Sequence, residues 1–110
     1  MAITASVKVG SSATDIITGV AQKEIGTTII EFCNTDNSTT EELDIHICKG
    51  GAAAADTNKV ISKLEIPPHE TWRYDIERWV LDPTDVIRAV GATGGLLTAV
   101  GSYKVLGKSS

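Results

Sequence analysis

What most limits the fold of this chain is a two-residue rhythm of apolar and polar side chains that returns in segment after segment, with no helix-length stretch between the returns. Ile3, Ala5, Val7 and Val9 alternate with Thr4, Ser6 and Lys8. Leu43, Ile45 and Ile47 alternate with Asp44, His46 and Cys48, and Trp72, Tyr74 and Ile76 with Arg73, Asp75 and Glu77. Successive side chains of a strand point to opposite faces, so each segment reads as a strand with one side in a core and one side wet. Residues 27–34 (TTIIEFCN) add a strand rich in β-branched residues. Shorter strands fit residues 15–19 and 60–66, the latter ended by Pro67 and Pro68. The last two strands fit residues 86–90 and 96–106, and residues 52–59 fit one irregular helical turn.

Turn residues punctuate these segments: Gly10, Ser11 and Ser12, then NTDNSTT at 34–40, Asp82, Pro83 and Thr84, and Gly91, Gly94 and Gly95. About eight short strands with turns every ~8–12 residues predict an all-β fold, an antiparallel β-sandwich or a jelly-roll-like arrangement. A parallel α/β fold is disfavoured, because its crossovers need helices of ~10 residues. The reversals at 34–40 and 91–95 predict two hairpins, one pairing 27–34 with 41–50 and one pairing the last two strands. The 110 residues suit one domain. We divide them into an N-terminal strand or arm, 1–12, and a single β-sandwich domain, 13–110.

A net charge of −4 argues against nucleic acid and against anionic membrane surfaces as partners, since both select basic faces. No apolar run approaches the ~20 residues that span a bilayer, and residues 1–9 lack the basic start and apolar run of a secretion signal. The protein is therefore expected to be made in a cytoplasm and used as it stands. In the 27–34/41–50 hairpin, Glu42 would face Cys33 and Thr27 would face Cys48, too far apart for a disulfide. Both cysteines read as free thiols.

Chemical constellations are few. Asp44, His46 and Cys48 share one strand face and could be joined by Cys33 or Glu31 around a metal, but same-face neighbours lie ~6.6 Å apart, a loose fit for zinc. They read as a solvated face, and no metal or cofactor is expected. There is no Gly-x-Ser-x-Gly elbow, and a Cys33–His46 pair lacks an orienting third group. His69 reads as a surface histidine, and Glu41 and Glu42 as solvated loop carboxylates. The GATGG of 91–95 reads as a hairpin turn, with no helix or basic residue after it to hold phosphate. Trp72 and Tyr74 share the parity of a core stripe. Trp79 stands outside it and is the better exposed contact; a sugar-stacking platform of Trp72, Tyr74 and Trp79 is the reading from another class. The expectation is a non-enzyme.

The order of segments resembles small β-sandwich virion proteins of tailed bacteriophages. IIEFCNTDNSTT at 29–40 precedes the alternating LDIHICK at 43–49. A small-residue loop at 50–58 leads to IPPHET at 66–71, and DPTDVIR at 82–88 precedes the final strands. Where that family often carries Pro-x-Gly-Lys, this chain has AQKEIG at 21–26 without the proline. The resemblance implies a virion structural protein assembled in the host cytoplasm, with no catalytic residues. Its first form is a capsid decoration (cement) protein binding neighbouring shell subunits; its second is a tail, neck or fibre component. The implied partners are major capsid or tail proteins and further copies of the chain as a homo-oligomer. The interface candidates are Ile3, Ala5, Val7 and Val9, on a strand suited to pairing along a neighbour's sheet edge, and Trp79.

Overall fold

A computed structural model describes residues 2–4, 6–75 and 79–108. They form β1 (Ala2–Ile3), β2 (Val7–Lys8), β3 (Thr14–Thr18), β4 (Lys23–Asn34), β5 (Glu41–Cys48), β6 (Lys59–Ile66), β7 (Thr71–Asp75), β8 (Val80–Leu81), β9 (Val86–Gly91) and β10 (Leu97–Lys108). Single 3-10 turns occupy Lys49–Gly51 and Asp56–Asn58, the second lying where the alanine run predicts one irregular turn. All pairings are antiparallel, in two sheets that make an all-β sandwich. The first has the order β1-β10-β4-β7, with β2 also on β10 and β8 also on β4; the second has the order β3-β9-β5-β6. Each sheet thus has four strand positions, two of the edge positions being occupied by broken strands.

Between the sheets lie Val9, Ile17, Ile25, Ile30, Phe32, Leu43, Ile45, Ile87 and Leu97, all fully buried. Close packing here depends on small residues facing large ones. In register, Ala99 lies beside Phe32 and Gly101 beside Ile30. A Cβ on Gly101 would sit 2.6 Å from Ile17 Cδ1, so Ile17 of the second sheet rests directly on the β10 backbone.

Neither predicted hairpin forms. β4 pairs with β10, β7 and β8, whereas β5 pairs with β6 and β9; β9 and β10 likewise lie in different sheets. Turn residues specify that the chain reverses, but an arch from one sheet to the other satisfies them as well as a hairpin does. Burial of Asn34 favours the arch. Its side-chain amide donates to the carbonyls of Thr39 (2.9 Å) and Ile66 (2.8 Å), and its Oδ1 accepts from Asp36 N (3.0 Å), tying the end of β4 to the end of β6. Asp36 then accepts from Ser38 N and Thr39 N, which hold its carboxyl below the ordinary value. Cys33 and Cys48 are both free, separated by lying on different sheets rather than by hairpin register.

The GATGG segment is the second arch, not a hairpin turn. Gly94 and Gly95 adopt positive φ (88° and 79°), which glycine does without steric cost. The main chain curls around the carboxylate of Glu41, which accepts from Thr93 N (2.9 Å), Gly94 N (2.9 Å) and Glu42 N (3.0 Å) and is 1% exposed. The expectation of a solvated Glu41 is corrected accordingly: it is the anion that this glycine-rich loop holds, supplied by the chain itself.

Candidate assembly surface

The outward faces of the two sheets differ. On β5, Leu43 and Ile45 face the core as predicted, while Ile47 is only half-buried. The opposite side carries Asp44, His46 and Cys48, yet His46 is 4% exposed and Cys48 not at all, against the expectation of a wet face. The loop 49–58 folds back over His46, and Arg88, bonded to the same loop, lies against Cys48. Asn58 donates to Ala53 O (2.9 Å) and its Oδ1 accepts from Ala55 N (3.0 Å), so that oxygen is turned toward the imidazole 2.8 Å away. Flanked by this oxygen and by Ala55 O at 3.1 Å, Nδ1 of His46 has two acceptors and must be the protonated nitrogen. Arg88 adds a bond to Ala52 O (2.6 Å) and pairs with Asp15 (2.8 Å). Among the described residues no group of three or more His, Cys, Asp or Glu side chains is arranged to hold a metal ion.

At the base of the same sheet, Asp85 is 2% exposed and accepts from Gly50 N (2.8 Å), Lys49 Nζ (2.8 Å) and Asp82 N (3.0 Å). Burial pushes its pKa up, but Lys49 and the two amides outweigh burial and hold it below the ordinary carboxylate value.

Among the described residues no loop covers the first sheet in this way. Ile3, Ile29, Glu31, Arg73, Val100, Gly101 and Ser102 line a shallow depression of about 180 Å³ on its outward side. The register explains the grouping: Ile3, Ser102 and Ile29 form one cross-strand row, and Val100, Glu31 and Arg73 a row two residues along. Rows two apart share a face. Arg73 pairs with Glu31 (2.9 Å), so these two charges cancel over an apolar floor, and Asp75, opposite Ile29, adds an exposed carboxylate at the edge.

Of the interface candidates, Ile3 is 74% exposed and joins this surface. Val7 is half-buried against the core, Val9 is wholly inside it, and Ala5 lies outside the described residues. The N-terminal strand is laid on the chain's own β10: Ala2 pairs with Tyr103, Ile3 with Ser102, Val7 with Ala99 and Lys8 with Thr98. Trp79 is half-buried, and its carbonyl accepts from Thr27 N (2.9 Å). It meets Tyr74 edge-on at 6.0 Å; Tyr74 stacks on Trp72 at 5.2 Å, and Trp72 on Phe32 at 6.0 Å. This ladder occupies the core side of an edge strand, which leaves Tyr74 37% exposed. Ile76 lies outside the described residues.

Ile29 and Val100 carry little local sequence signal for this surface. The available signal is the pair Ile29–Ile30: adjacent apolar residues on one strand cannot both face one core. Comparison of the chain with family models, with characterised proteins and with solved structures finds no match.

Proposed function

We propose that this chain is a structural protein of a bacteriophage virion, a capsid decoration (cement) protein that binds neighbouring shell subunits through the outward side of its first sheet and catalyses no reaction. The observation that carries the reading is the exposed Ile3 beside Ile29 and Val100, an apolar floor with the Glu31–Arg73 pair at its rim and, among the described residues, no loop over it. Such a surface suits docking, since burying it gains about 25 cal/mol per Å² before the cost of association. Modest contacts become firm when repeated over a symmetric lattice. A non-catalytic role is supported by how the buried polar groups are used: Glu41, Asp85, Asn34 and His46 each bond to the chain's own main chain. The phage context rests on the resemblance in segment order.

The test is occupancy on particles that lack the protein, measured by co-sedimentation and by imaging. Ile3→Asp should lower occupancy while leaving the fold intact; full occupancy by this variant would overturn the docking surface. Density on a tail or neck instead of the shell would assign the second form of the same role. A carbohydrate-binding role is favoured by one observation, the Trp72–Tyr74 stack with Tyr74 part-exposed. A glycan array with wild type and Tyr74→Ala would decide it, since loss of a signal on removing the ring is the outcome that role requires.

A further inference from the structure

We propose that copies of this chain associate head to tail, the lysine-bearing end of β4 and β10 in one copy docking against the glutamate-bearing corner of β5 and β6 in the next. The inference starts from two misplaced pairs. Lys23 lies directly opposite Lys108 in the β4–β10 register, and Glu42 directly opposite Glu65 in the β5–β6 register. Like charges facing each other across strands are destabilising. Elsewhere on the sheets, charges meet their opposites: Glu31 with Arg73, Asp15 with Arg88, Asp44 with Lys59. Among the described residues none of the four misplaced side chains makes an ion pair.

The two pairs have opposite signs and lie at opposite ends. Lys23 opens β4 and Asn34 closes it, roughly 37 Å away along an extended strand. Asn34 bonds to the carbonyl of Ile66, the residue after Glu65, in a molecule 47 Å long. Around the lysines, Val105 (50%), Leu106 (44%) and Val80 (46%) are exposed, with Lys104 beside them. β1 and β2 reach β10 only as far as Tyr103, so within the described residues Lys104 to Lys108 keep one unpaired edge. Among the described residues two further acids lie near that end: Glu24 stands opposite Gly107 and so alternates to the other face, and Asp82, which follows Leu81, pairs with Lys49. Around the glutamates, Glu70 and Pro67 are exposed, and Lys63, the nearest base on β6, pairs with neither acid.

One end is therefore basic with apolar side chains, the other acidic, and stacking end on end relieves both repulsions. Because the two patches differ, the contact is heterologous and builds a ring or an open filament rather than a two-fold dimer. This association needs neither a shell nor a glycan, so its test uses the pure full chain and stands apart from particle docking.

Sedimentation velocity should show a mass that rises with protein concentration at low ionic strength and falls toward the monomer in about 0.5 M salt. Lys23→Glu with Lys108→Glu, and separately Glu42→Lys with Glu65→Lys, should each weaken association about tenfold or more. Mixing the two double variants should restore it, because every contact again joins opposite signs. All four side chains lie outside the core, and unchanged circular dichroism would show that both variants fold. A wild type that stays monomeric at every concentration overturns the proposal and leaves the lysines as protection of an unpaired edge. Association indifferent to the reversals, or a mixture that stays apart, overturns it equally.

Discussion

The two sheets of this sandwich are treated differently on their outer sides. The second sheet is closed by its own chain: the loop 49–58 covers His46 and holds Arg88, which lies against Cys48, and the buried His46 and Asp85 each have a main-chain partner. Among the described residues the first sheet is left open, with Ile3, Ile29 and Val100 facing outward beside the Glu31–Arg73 ion pair. The difference teaches where specificity of fold ends and surface for a partner begins. Polar groups that are buried and satisfied fix one arrangement of the chain, whereas apolar groups left exposed fix nothing within it.

Substitutions can break that contrast. Outside the apolar core the largest expected effect is at the arch that joins the sheets: Glu41→Ala removes the buried carboxylate from Thr93 N, Gly94 N and Glu42 N and leaves three part-buried donors unmet. It should cost about 3 kcal/mol in a denaturant melt. Gly101→Ala comes next, since its Cβ would collide with Ile17 and push the sheets apart, at about 1–3 kcal/mol. Asn58→Ala loosens the cover of the second sheet by about 1–2 kcal/mol. Its sharper readout is thiol labelling, in which Cys48, buried in the wild type, should become reactive while part-exposed Cys33 is unchanged.

Acid gives a related handle on the covered side. Asp85 has a folded-state pKa below its unfolded value, so its contribution is present above the unfolded value of about 3.9 and is lost as pH falls from there through the folded value. Asp85→Asn should lower stability at neutral pH by about 1–2 kcal/mol and flatten the melting temperature against pH between about 5 and 2. A variant with the wild-type acid profile would show that another carboxylate governs it.

The sandwich class was legible because alternation at Leu43–Ile45 encodes faces, and a strand can hide only one of them; at Ile3–Val9 the same rhythm predicts one face, yet the register shift between β1 and β2 turns Ile3 outward and Val9 inward. Connectivity was not legible, because NTDNSTT and GATGG encode reversals, and only the buried Asn34 and Glu41 side chains make those reversals cross between sheets. The wet face predicted for His46 and Cys48 fails for a similar reason: alternation says which side a residue points to, and not what later folds over that side. Of the candidate surface, Ile3 was visible as a strand residue. Its neighbours Ile29 and Val100 become a patch only through the pairing of β10 with both β1 and β4, a long-range register that no local pattern carries.

The smallest effect on stability is expected on the open side, and it is the most informative. Ile3 is 74% exposed on an edge strand, so Ile3→Asp should change stability by no more than about 0.5 kcal/mol, the usual range for surface positions. Val9→Asp, six residues along the same segment, buries an unpaired charge among core residues and should prevent folding. The pair separates two uses of one alternating stretch, anchoring through Val9 and presentation through Ile3. If Ile3→Asp proved as costly as a core substitution, the outward side of the first sheet would be part of what holds this molecule together, and the contrast between its faces would disappear.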